Sequence, residues 1–148
     1  MDETPFRFGL ERVREIREHD EDRAREEFAA SLTRRERDAA ALAAAADLVQ
    51  QARARQSALP MTGQDLITRQ LWLERVEQDR RKAELEVARR EAEIESRRQA
   101  LGAAQQRREV IERLKERHRE QHEAADARRA GAALDEMALS IHRRREGR

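Results

Sequence analysis

The chain has 148 residues, of which 43% are Asp, Glu, Lys or Arg and 3% are aromatic. Globular domains average about 25% charged residues, so this composition leaves too few large apolar side chains for an ordinary globular core. Acidic and basic residues are closely interspersed and leave a net charge of +1, which argues against a nucleic-acid-binding face, and the lack of cysteine excludes disulfides and thiolate metal sites.

Long helices are the structure that this composition favours, because strong helix formers dominate and there are only five glycines and two prolines. The opening residues, MDETPFRFGLERV, contain no apolar segment of the kind found in secretory signals. The longest apolar run, residues 39–46, is eight residues of mostly alanine, against the roughly 20 that a membrane span needs. We therefore expect a cytoplasmic protein without membrane insertion.

The first helix is predicted at about residues 5–57, because apolar and small side chains step by three and four along this segment. The expected interior positions run from Leu10 to Ala24 and resume at Phe28 and Leu32. The spacing 24, 28, 32 departs from a strict heptad, and such a stutter locally relaxes a supercoil. The pattern therefore predicts a local relaxation of the supercoil at this point of the first helix.

The strongest helix-breaking signals occur in SALPMTGQDL, residues 57–66. Pro60 disfavours helix at the residue before it. Thr62 and Asp65 stand three apart in the pattern of a capping box, which starts a new helix. A turn at about 58–62 is short enough to join antiparallel neighbours.

The second helix is predicted at about residues 63–143. Two sets of positions recur along it at heptad spacing. They are Leu66, Leu73, Arg80, Val87, Ile94 and Leu101, and Val76, Ala83, Ala104 and Ile111. Residues 1–148 are therefore predicted to form a single all-α unit, a long antiparallel two-helix coiled-coil hairpin with a longer second helix. Arginines within the seam make it a weak one that relies on small alanines and on arginine stems.

The second helix is expected to outreach the first. If the hairpin folds near Pro60, Leu10 lies opposite Ile111 and Phe6 lies opposite Lys115. Residues after about 115 then have no partner in the first helix.

An apolar stripe lies within this overhang. Its side chains share one helical face: Leu134, Met137, Ala138 and Ile141. The hairpin does not explain an apolar face at this position, so we expect it to bind a partner molecule. The alternative is that the overhang bends at Gly131 and packs back on the hairpin, because glycine costs about 1 kcal/mol in a helix and favours kinks.

No residue is marked out for catalysis. His118 and His122 share a helical face, as in zinc peptidases, but Arg119 stands where that chemistry needs Glu, and no third ligand is in view. A polar, solvated helix face is the more ordinary explanation. Since there is also no glycine-rich phosphate loop and no nucleophile elbow, we expect no enzyme activity, no cofactor and no metal site.

Trp72, the single tryptophan, lies just after the turn between Leu71 and Leu73. Three successive bulky residues cannot all face one seam, so at least one of them should be exposed. Trp72 therefore either packs at the hairpin tip or is a binding anchor of the kind enriched at interfaces.

Three segments resemble the flagellar type III export protein FliJ family. They are FRFGLERVREIRE at 6–18, the Leu71-Trp72-Leu73 segment after a turn containing Pro and Gly, and residues 113–145, which end in LDEMALSIHRRR. The resemblance spans nearly the whole chain. It implies a non-enzymatic cytoplasmic stalk of the flagellar export apparatus, peripherally associated with the inner face of the cell membrane at the flagellar base.

The resemblance also implies partners: a hexameric export ATPase, a membrane-embedded export gate protein and export chaperones. The ATPase ring is then expected to contact Leu134, Met137, Ala138 and Ile141. By position, the gate surface is expected to include Trp72, Leu42, Val49 and Val76. The last three also fall on the seam, where core packing is the stronger interpretation, whereas Trp72 lies off it.

Two alternatives share the predicted shape. One is the equivalent stalk of a virulence-type injectisome, although the FxFxLExV opening favours the flagellar version. The other is a homo-oligomeric structural coiled coil with no export role. A stalk should be a monomer when free, whereas a scaffold should be a dimer or larger.

Overall fold

The structure is a computed structural model that describes residues 5–56 and 62–146. Within these ranges the chain forms two helices and no strand: α1 spans Glu11–Gln56 and α2 spans Gly63–Glu146. The two helices pack against each other in opposite directions. The predicted all-α helical hairpin with a longer second helix is confirmed.

α1 begins later than its predicted start near residue 5. A turn at Gly9 and Leu10 precedes it, and the backbone N–H of Glu11 donates to the Phe8 carbonyl at 3.2 Å. Phe6 and Phe8 therefore lie in a non-helical segment ahead of the helix.

α2 begins with the predicted capping box. The Asp65 backbone N–H donates to Thr62 Oγ1 at 3.3 Å, and Thr62 donates to Asp65 Oδ2 from its hydroxyl at 2.6 Å and its backbone N–H at 3.3 Å. These bonds, the hydroxyl bond first, lower the pKa of the Asp65 carboxyl. The remainder of the predicted turn, residues 58–61, lies outside the described residues.

The chain divides into two compact units, residues 21–103 and residues 1–20 with 104–148. In the unit of residues 21–103, two sets of α1 positions at heptad spacing are buried or half-buried throughout. They are Glu21, Phe28, Arg35, Leu42 and Val49, and Ala24, Ser31, Asp38, Ala45 and Ala52. The interior of α1 in this unit therefore follows an uninterrupted heptad that includes polar residues.

The predicted stutter at positions 24, 28 and 32 is absent. Ser31 is 0% exposed, whereas Leu32 is 40% exposed. Ser31 satisfies its hydroxyl locally by donating to the Phe28 carbonyl at 2.6 Å. A small polar residue thus takes the interior position that the hydrophobic pattern assigned to the neighbouring leucine.

Apolar packing in this unit is concentrated near the end of α1 and the start of α2. Val49, Ala52 and Val76 form a buried cluster, and Leu73 packs against it. Close by, the Arg69 guanidinium donates to the Arg55 carbonyl in the last turn of α1. This bond satisfies one of the carbonyls that a helix end leaves without an intrahelical partner.

Charged side chains join the helices along the rest of this unit. Arg90 donates to Asp38 at 2.7 Å and to Glu93 at 3.0 Å, and Arg34 also donates to Glu93 at 2.7 Å. The hydrogen bonds from Arg90 and Arg34 lower the pKa of Glu93. Further interhelical pairs are Glu27 with Arg97, Arg35 with Glu91 and Arg53 with Glu77.

The helices pair about five residues away from the predicted register. A fold centred on Pro60 places Arg35 opposite residue 86, but Arg35 pairs with Glu91 at 3.3 Å. α2 starts at Gly63, before Arg69, the first α2 residue that bonds to α1 in the described part of the chain. The capping box determines where α2 starts, and this local chemistry does not require pairing to begin at the same residue.

The same offset occurs within the other unit. Glu11 pairs with Lys115 at 3.0 Å, and Arg14 pairs with Glu112 at 3.4 Å. The Lys115 ammonium, followed by the Arg14 guanidinium, lowers the pKa of Glu11 through hydrogen bonds.

Pairing in this unit extends past Lys115. Phe8 contacts His118, and Phe6 contacts His122, seven residues beyond the position predicted for it. The expectation that residues after about 115 lack a partner is therefore wrong for the stretch up to His122. The non-helical segment before α1 supplies the contacts.

Candidate partner-binding surfaces

The C-terminal arm, defined as residues 127–146, is the last part of α2. Every residue in it is exposed except Ala130 and Ala133. α2 continues through Gly131 as one helix, and a Cβ added there would meet no atom within 4 Å. The alternative of a bend at Gly131 with the arm packed back is not what the structure shows.

The predicted apolar stripe lies on this arm. Leu134, Met137 and Ile141 are 58%, 51% and 54% exposed, and Ala138 is exposed as well. The structure therefore brings these four residues together on an uncovered helical face.

The centre of the stripe is turned away from the side of α2 that contacts the start of the chain, although Met137 lies only about 60° from His122. His118 and His122 mark that side, because Phe8 and Phe6 pack on them. Successive residues turn by about 100° around an α-helix, which places the centre of the stripe about 130° from the two histidines. Leu139, which is 55% exposed, lies about 150° from the centre of the stripe by the same geometry.

The charges beside the stripe differ at its two ends. Asp135 and Glu136 lie near its start, and Arg143, Arg144 and Arg145 occupy the last turn of α2. No ion pair to these three arginines is present within residues 5–56 and 62–146. The arm thus offers a partner an apolar face that leads to a basic end.

A second exposed apolar surface lies at the start of α2. We use the name tip surface for four exposed residues that lie on several sides of this part of the helix. They are Leu66, Ile67, Leu71 and Trp72, which are 54%, 65%, 61% and 50% exposed. Leu66 was expected on the seam, but it is uncovered because pairing with α1 begins further along α2. The sequence pattern missed Ile67, although the capping box ahead of it already indicated an early helix start, whereas Leu71 belongs to the group of three bulky residues of which at least one was expected to be exposed.

The four residues predicted for the gate surface differ in their surroundings. Val49 and Val76 are 2% and 3% exposed in the apolar cluster, as their seam positions indicated. Leu42 is half-buried. Trp72 is the member of the set that presents a large exposed apolar side chain.

His118 and His122 have aromatic neighbours. The ring centroids of each histidine and its phenylalanine are 5.7 Å apart. His122 Nδ1 also lies 3.2 Å from Asp126 Oδ2. Across the described ranges, no group of three or more His, Cys, Asp or Glu side chains is placed to hold a metal ion. No helix in the same ranges is long and apolar enough to cross a bilayer.

A two-helix hairpin with interhelical ion pairs and exposed apolar side chains near both ends of α2 is a coiled-coil-like helical fold. The family described as "Flagellar FliJ protein" matches residues 6–147. The chain belongs to this family and is a flagellar export protein. Neither a curated protein nor a solved structure matches it.

Proposed function

We propose that this chain is a non-enzymatic stalk of the flagellar export apparatus, whose C-terminal arm inserts into the hexameric export ATPase. The observation that carries the proposal is the exposed stripe of the arm. Because the stripe lies beyond His122, where the described contacts of Phe6 end, another molecule is proposed to cover it.

The stripe is large enough to contribute to a specific contact. Burying a Leu, Ile or Met side chain contributes about 1.5–3 kcal/mol, so Leu134, Met137 and Ile141 together supply several kcal/mol against the cost of association. The arm is already helical, so binding does not have to order its backbone.

The tip surface is the proposed contact for the export gate protein. Its last residue, Trp72, precedes the arm by about 55 residues of the same helix, so the two partners are proposed to bind at separate places. A peripheral position at the inner face of the cell membrane follows from the gate contact, and export chaperones are a further proposed class of partner.

The free stalk is proposed to be a monomer, because the seam positions of α1 and α2 are occupied within one chain. Light scattering at micromolar concentration tests this point. A dimer or larger species would favour the homo-oligomeric scaffold instead.

The test of the arm is stimulation of the purified export ATPase by full-length variants. Replacing Leu134 and Ile141 by serine should raise the concentration needed for half-maximal stimulation by at least about tenfold, since two buried contacts are lost. Leu139→Ser is the matched control, because Leu139 is equally exposed on another side of the arm. Equal loss in both variants, or normal stimulation by the double variant, would contradict the proposal.

The basic end of the arm needs its own variant. Replacing Arg143, Arg144 and Arg145 by glutamine removes the charge and retains the apolar stripe. If this change abolishes stimulation while the serine double variant stimulates normally, the ATPase recognises charge and the proposed role of the stripe is wrong.

A further inference from the structure

The non-helical segment before α1 packs two aromatic rings on α2. Phe8 is 8% exposed, although it lies outside both helices. Its ring meets that of His118 at an interplanar angle of 70°, and Phe6 meets His122 at 67°, with centroids 5.7 Å apart in both pairs. Edge-to-face contacts of this kind are favourable between aromatic rings.

The spacing of these four residues explains why the rings meet in pairs. Phe6 and Phe8 are two residues apart, and an extended residue advances about 3.3 Å. His118 and His122 are four residues apart in a helix, which rises about 1.5 Å per residue. The two steps are therefore about 6.6 Å and 6 Å, so the FRF segment matches the HREQH segment in length.

We propose that residues 5–10 form an aromatic clasp that holds the start of α1 on α2 and determines where α2 becomes a free arm. The last interhelical ion pair in this unit joins Glu11 to Lys115. The clasp extends coverage of α2 from Lys115 to His122, about 10 Å along the helix. Without the clasp, the uncovered part of α2 would be longer by about two turns.

The clasp depends on the two phenylalanine rings. Within the described ranges, the backbone bonds of this segment stay at the start of α1, from Glu11 to Phe8 and from Arg14 to Leu10. Removing the rings should therefore release the segment and leave both helices formed. Arg7 lies between the rings but is exposed, so Arg7→Ala is a matched control in the same segment.

Amide hydrogen exchange of the full-length chain tests the clasp. In the Phe6→Ala, Phe8→Ala double variant, exchange over residues 115–126 should accelerate by at least tenfold, to rates like those of the arm, while residues 21–103 keep their rates. Arg7→Ala should change neither region. Unchanged exchange over 115–126 in the double variant would overturn the proposal.

The partners of the rings can be tested by a double-mutant cycle. His118→Ala with His122→Ala should produce the same acceleration, and combining these changes with the two phenylalanine changes should add little more, because the same contacts are removed twice. Fully additive effects would show that the rings and the histidines act independently, and would also overturn the clasp.

The consequence for the ATPase rests on the proposed function. In the Phe6→Ala, Phe8→Ala variant the helix over residues 115–126 opens more often, so it is less preorganised for binding, and the variant should need several-fold more protein for half-maximal ATPase stimulation. Because exchange is measured on the chain alone, its outcome does not depend on the ATPase. Accelerated exchange with unchanged stimulation would support the clasp but show that it has no effect on the ATPase contact. Normal stimulation by the Leu134, Ile141 serine variant would contradict the proposed function and leave the clasp untouched.

Discussion

Trp72 and Leu73 are adjacent in the chain, yet their surroundings differ. Leu73 packs against the buried cluster of Val49, Ala52 and Val76, whereas Trp72 is 50% exposed. One residue along an α-helix turns the side chain by about 100°, which moves Trp72 off the seam. At the residue scale, its side chain is therefore available for binding and contributes little to the core.

Trp72→Ala should weaken binding to the export gate protein by about 30-fold, the loss of about 2 kcal/mol that marks a hot spot. The free energy of unfolding should change by no more than about 0.5 kcal/mol, as for exposed positions in general. Calorimetric titration with the gate protein and urea unfolding measure the two quantities. Leu85→Ala, at a residue that is 62% exposed on the same helix, is the control. A large loss of stability with binding intact would show that Trp72 serves the core.

At the scale of elements, α2 carries three kinds of surface along one continuous helix. Its start is an exposed tip, its middle pairs with α1, and its last part is the uncovered arm. The clasp at His118 and His122 closes the paired part. Because the arm has no described contact with α1, its removal should not disturb the pairing.

Removing residues 131–148 should abolish stimulation of the export ATPase and spare binding to the gate protein. The unfolding free energy of the remaining hairpin should change by no more than about 0.5 kcal/mol, since the described residues among those deleted, 131–146, are exposed except for Ala133. ATPase assays, gate binding and urea unfolding followed by circular dichroism check these outcomes. Loss of gate binding in the truncated chain would mean that the two surfaces are not independent.

At the scale of the whole molecule, interhelical ion pairs form along much of the seam between α1 and α2. Arginine and lysine neighbours lower the pKa of Glu11, Glu77 and Glu93. A folded-state pKa below the unfolded value means that stabilisation is fully present above the unfolded value, and is lost as the pH falls through the folded value. Acid should therefore weaken the hairpin.

The urea midpoint should fall as the pH drops below the ordinary glutamate pKa of 4.5. Glu93→Gln should lower the midpoint at pH 7, because Arg34 and Arg90 lose a charged partner. At a pH where Glu93 is protonated in the folded state, the variant and the parent chain should become alike. Glu109→Gln, at a residue paired with Arg113 on its own helix, should have a smaller effect. An equal loss from Glu93→Gln at both pH values would contradict this origin of the acid sensitivity.

The sequence alone was sufficient to predict the helices, the capping box and the apolar stripe. These features depend on interactions between residues that are close in the chain, so they can be predicted from the sequence. They include the helix-forming composition, the proline in the connection and the Thr62–Asp65 pair. The three-and-four spacing of Leu134, Met137 and Ile141 is local in the same sense. The family resemblance was also recognised from short segments of consecutive residues near the two ends of the chain.

Only the tertiary structure decided the register of the two helices. Ser31 rather than Leu32 lies inside, Arg35 pairs with Glu91, and Phe6 reaches His122. A seam rich in charges and alanines has no strong apolar pattern with which to select one alignment, so pairs distant in sequence select it together. That alignment in turn leaves Leu66 and Ile67 uncovered at the tip, because exposure depends on what the opposite helix reaches and not on the residue itself.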